Sequence, residues 1–224
     1  MPLTRKNGRI QDYISVAGFL AFFLLVTAVI AVMLKHGIIR WPFRRVPGIV
    51  ETYKNVLLYS PVLFIALFST IWLKVSRIPV LEEFKWRRFS RTFLVGLFIS
   101  SGYSVYLFMS TGFSLKGSEY WPPVVMLSLL NAVSEEVFYR LVFYRLLKNV
   151  FTGSLQANLI QSLAYASVHV LIGGVQFAVF AFCYGMLLGW IMERNRSVIP
   201  CIICHFCIDI GNIGLPLLID LPVR

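Results

Sequence analysis

Glu135, Glu136, Arg140, His169, His205 and Asp209 stand inside stretches of the chain that are otherwise apolar. An ionisable side chain in such surroundings persists mostly where it faces a cavity, a partner or a reaction. In Ser134-Glu-Glu-Val-Phe-Tyr-Arg140, α-helical winding puts Glu136 and Arg140 four apart, acid before base, on one face where they can pair. Glu135 is then turned away by about 100°. One carboxylate is neutralised, and the other suits a general base that takes a proton from water near neutral pH. His169 follows Tyr165 by four residues, and His205 precedes Asp209 by four, so each pair shares a helix face. Two imidazoles and one carboxylate from three helices can converge on a water and a carbonyl, the layout of a hydrolase inside a membrane. A structural ion-pair network and the proton relay of a transporter use the same residue types, and the residues alone leave those readings open.

The elements that must position these groups follow from composition. Of 224 residues 58% are hydrophobic and 14% charged, with a mean hydropathy of +0.77. That is too little polar surface to cover a water-soluble globule of this length. A bilayer core needs roughly 20 apolar residues per helix, and seven such stretches are expected: residues 13–34, 56–73, 92–113, 123–147, 157–172, 176–192 and 198–219. An eighth short helix near Leu215 follows if Pro216 splits the last span. The expected fold is an all-α polytopic transmembrane helical bundle. It forms one membrane domain over residues 1–224, with the first three spans in 1–120 and spans four to seven, which hold the ionisable residues, in 121–224. The first span is too long for the apolar core of a signal peptide and lacks a small-residue cleavage site, so it is expected to stay attached.

The net charge of +11 raises the question of nucleic acid. The basic residues lie in short segments flanking the spans, however, where anionic lipid head groups are the nearer partner. The segment between the second and third spans alone carries Lys74, Arg77, Lys85, Arg87, Arg88 and Arg91. Their placement favours a cytoplasmic N-terminus. Cys201-Ile-Ile-Cys204-His205 spells a haem-attachment string, and Cys207 adds a candidate zinc ligand. Within an apolar span these thiols read instead as small packing residues. Ser134 and Ser167 read the same way, since neither stands in a nucleophile-elbow setting. Gly185 and Gly189 form G-x-x-x-G, which is expected to serve a close intramolecular helix contact.

Three segments taken in order resemble the CAAX protease and bacteriocin-processing family of intramembrane glutamic proteases. Glu135-Glu136-Val-Phe-Tyr-Arg140 is similar to its E-E-x-x-x-R, Tyr165-Ala-Ser-Val-His169 to its aromatic-x-x-x-H, and His205-Phe-Cys-Ile-Asp209 to its H-x-x-x-N/D. The run from Gly185 to Pro200 also looks like the family's approach to the third motif, and the resemblance covers roughly residues 127–212. It implies accessory spans in 1–120 and a catalytic core of spans four to seven in 121–224, forming an endopeptidase in which Glu135 activates water and His169 positions it. It also implies that His205 and Asp209 stabilise the oxyanion, while Glu136 and Arg140 support the motif helix, with neither cofactor nor metal. Many members carry asparagine where this chain has Asp209, and an ionised aspartate cannot donate to an oxyanion. Either Asp209 carries a proton, or it orients His205 by accepting a hydrogen bond as in a catalytic triad, which is the preferred reading. The implied partners are the lipid bilayer and a membrane-associated or exported peptide, such as a leader peptide, a C-terminal sorting tail or a CAAX-like tail. The short loops look like those of prokaryotic members, which implies a multi-pass protein of the inner membrane. The resemblance also admits a non-catalytic self-immunity protein or scaffold, and oligomeric state stays open.

Overall fold

A chain this apolar has to satisfy its backbone hydrogen bonds internally, and helices do so within one segment. The computed structural model describes residues 14–22, 24, 25, 28, 29, 32, 36, 90–110 and 117–214, the last range without the side chains of residues 172, 173, 213 and 214. Among the described residues there are helices and turns and no strand. Residues 14–22 are helical, inside the first expected span. The second expected span and the neighbourhood of Leu215 and Pro216 lie outside the described residues.

Helix α1 is Arg91–Ser110, close to the third expected span. The fourth is three pieces rather than one: α2 at Trp121–Glu136, a π-helical segment at Val137–Phe143, and α3 at Tyr144–Val150. Proline in the first turn of α2 costs nothing, because the missing N–H would have had no intrahelical partner. The fifth and sixth spans form α4, Ser154–Asn195, broken at Gly174, whose φ of 76° and ψ of −172° are not helical. Helix α5, Ile199–Asp209, continues as a second π segment, Ile210–Gly214. Two described helices are long and apolar enough to cross a membrane, Arg91–Ser110 and Gly174–Asn195, and Ile199–Asn212 is a shorter apolar helix.

The chain divides into two compact units that interleave in sequence. One comprises the described residues of Met1–Trp41 with Tyr139–Trp190, and the other those of Pro42–Phe138 with Ile191–Arg224. In the first, the two parts of α4 on either side of Gly174 meet along a seam of small and polar residues. A Cβ on Gly189 would fall 1.8 Å from Asn158 Oδ1, and one on Gly185 would fall 3.2 Å from the Ser162 side chain. Asn158 Nδ2 donates to the Met186 carbonyl at 2.9 Å, and Gln161 Nε2 to Asn158 Oδ1 at 2.8 Å and Ser162 Oγ at 2.7 Å. The G-x-x-x-G motif thus serves an intramolecular contact, as expected.

In the second unit α5 packs against α1 and α2. Small residues again set the approach: a Cβ on Gly96 of α1 would lie 2.3 Å from Ile191 Cδ1 and 3.2 Å from Cys204 Sγ. Ser104 Oγ donates to the Cys207 carbonyl at 2.5 Å. Asn195 Oδ1 accepts the Ser90 backbone N–H at 2.8 Å, just ahead of α1.

Candidate active site

Four of the six residues singled out by type and spacing come together in the second unit, on two packed helices. The last turns of α2 carry Glu135 and Glu136, and α5 carries His205 and Asp209. His205 Nδ1 lies 2.6 Å from Glu136 Oε1. With Glu136 ionised, Nδ1–H donates to it, and a charge-assisted bond of this length fixes the ring orientation. The other nitrogen, Nε2, lies 3.5 Å from Asp209 Oδ1 and 3.7 Å from Glu135 Oε2. Glu136, His205 and Asp209 are buried, whereas the Glu135 side chain is 22% exposed. Its Oε2 is buried and has no hydrogen-bond partner among the described residues. One of the two adjacent acids is thus engaged by the imidazole, and the other faces it across a wider gap.

Asp209 receives a further bond. Asn131 Nδ2, on α2, donates to Asp209 Oδ2 at 2.9 Å. Asn131 is buried and precedes Glu135 by four residues, so both project from one face of α2. The spacing that linked His205 to Asp209 would have found it, had uncharged amides been weighed beside ionisable groups.

Arg140 and His169 belong to the first unit. Arg140 is fully buried, with its guanidinium 4.8 Å from the centre of the Tyr165 ring and 5.8 Å from that of Tyr139, within cation–π range. It lies in the π segment, where hydrogen bonds run i→i+5. His169 lies between Tyr165 and Phe177, with ring centres at 4.3 and 5.2 Å and the rings tilted by 53° and 56°. Its Nδ1 lies 2.8 Å from the Tyr165 carbonyl oxygen. A carbonyl only accepts, so Nδ1 carries the hydrogen and Nε2 holds the lone pair of the neutral ring.

The remaining candidates settle into packing. Ser134 and Ser167 donate to carbonyls of their own helix, Leu130 at 2.5 Å and Ala164 at 2.7 Å. Cys201 and Cys204 are buried. Among the described residues no three His, Cys, Asp or Glu side chains are grouped to hold a metal ion.

Acid, imidazole and amide groups are thus gathered inside an apolar helical protein. Residues 117–211 match the family model described as type II CAAX prenyl endopeptidase Rce1-like, an integral membrane family of proteases. The matched segment contains all three motifs, and the resemblance drawn from them stands. No curated protein and no solved structure matches the chain.

Proposed function

We propose that the protein is an intramembrane endopeptidase of glutamic type, with Glu135 as general base. The observation that carries this reading is the division of labour between adjacent acids: Glu136 holds His205 at 2.6 Å, while Glu135 presents a buried oxygen with no hydrogen-bond partner among the described residues, 3.7 Å from the same imidazole. A water against Glu135 gives it a proton, and the resulting hydroxide adds to the scissile carbonyl. The carbonyl carbon becomes tetrahedral and its oxygen negative. In its imidazolium form His205 donates Nδ1–H to Glu136 and directs Nε2–H towards that oxygen, the kind of preorganised donor that stabilises such a charge. Collapse of the intermediate breaks the C–N bond, and Glu135 returns the proton to the leaving amine, so water is consumed and the base regenerated. His169 enters this scheme on the motif resemblance alone, as a residue that positions the water.

The fuller arrangement proposed is seven spans with a cytoplasmic N-terminus in a prokaryotic inner membrane. The substrate is a peptide in or near the bilayer, a leader peptide, a sorting tail or, as the description of the matching family suggests, a prenylated CAAX tail. The test is cleavage of a panel containing a farnesylated CAAX peptide and unprenylated leader and sorting-tail peptides, by purified full-length protein in liposomes. Cleavage by the wild type and its loss in Glu135→Gln supports the reading. Undiminished cleavage by the variant, or none by the wild type, overturns it.

A further inference from the structure

Asn131 makes a contact that the scheme above leaves unused. A buried primary amide among apolar helices needs partners, and this one is aimed at an acid of the cluster on another helix: Nδ2 to Asp209 Oδ2, 2.9 Å. The second oxygen of that carboxylate stops 3.5 Å from His205 Nε2, beyond the usual 2.7–3.2 Å of an N–H···O bond. A charge-assisted bond would reward closing that gap. Closure would occupy the hydrogen that the reacting carbonyl oxygen requires.

We propose that Asn131 is a positioning residue that tethers Asp209 by Oδ2 and holds it back from His205, leaving the Nε2 hydrogen to the oxyanion. The inference rests on the endopeptidase reading and specifies a further part of the same site. It accounts for an amide donor one turn ahead of Glu135 and for the two unequal contacts of His205, short to Glu136 and long to Asp209. Asn131 acts through Asp209, so its loss should lower turnover and leave substrate binding nearly untouched.

The experiment is steady-state cleavage of the best-cleaved panel peptide by Asn131→Leu, similar in shape but without a donor, with Glu135→Gln run in parallel. The expected result is a fall in kcat of at least tenfold with KM within twofold. The decisive readout is the double variant Asn131→Leu/Asp209→Asn. Once the carboxylate that captures His205 is gone, kcat should recover at least fivefold over Asn131→Leu, whereas damage to packing would not be relieved by a second change. Should Asn131→Leu fail to reach wild-type levels in the membrane, Asn131→Ser, too short to span the distance, is read in the same way. A kcat within twofold of wild type in the single variant, or no recovery in the double, overturns the tether. If Glu135→Gln is inactive while Asn131→Leu is unimpaired, only the tether fails. If Glu135→Gln cleaves like wild type, the glutamic mechanism with Glu135 as base itself fails.

Discussion

Two buried polar clusters divide the work of this molecule, and they differ in kind. The seam within α4, made by Asn158, Gln161 and Ser162 against Gly185 and Gly189, is uncharged, and its amides donate to main-chain carbonyls as well as to one another. The cluster on α2 and α5 gathers three carboxyl groups and an imidazole, bonded side chain to side chain, with one acid partly exposed. Neutral amides that bond to backbone stabilise a close helix contact whatever else happens. Charged groups bonded side chain to side chain are costly to bury. Burial and polarity are common to both clusters; charge and the identity of the acceptor separate them.

The comparison breaks most visibly at Glu135. Replacing it with Gln keeps the shape and removes the proposed base, so cleavage should fall by about 10²- to 10⁴-fold, while the melting temperature in detergent stays at the wild-type value. A large loss of stability in that variant would put Glu135 in the same class as the seam. Gly189→Leu should do the opposite. Its Cβ alone would collide with Asn158, and forcing the two parts of α4 apart should cost about 1–3 kcal/mol, read as a lower melting temperature with the activity of the surviving folded fraction retained. The smallest effect is expected for Asn158→Ala, which removes one bond across the seam. Hydrogen bonds between membrane helices average about 0.6 kcal/mol, so a modest shift in chemical denaturation with unchanged cleavage is the outcome that sharpens the distinction.

Much of this was legible in the residues. Apolar stretches give α1 nearly to its ends, and the gap left between residues 172 and 176 contains the break at Gly174. The i, i+4 pairing of His205 with Asp209 is a property of one helix, and it was read from spacing alone. What spacing cannot show is how α2 and α5 are registered against each other, so the 2.6 Å contact of Glu136 with His205 emerges only from packing. The π segment was missed for a related reason. A single widened turn leaves the apolar pattern of Val137–Phe143 unaltered, since nearly every residue in it is hydrophobic. Asn131 carries no charge, and a search for ionisable groups passes over it.

The break at Gly174 also sets what the chain tolerates over evolutionary time. Its backbone lies in a region open essentially to glycine alone, where another residue costs about 1–3 kcal/mol, yet a Cβ placed there would meet nothing within 4 Å among the described residues. Position 174 should therefore reject alanine nearly as firmly as tryptophan, whereas position 189, hemmed in by Asn158, should reject residues in proportion to their bulk. A complete substitution profile of the two glycines would then show two signatures, one flat and one graded, and would separate a constraint on the path of the chain from a constraint on the room beside it.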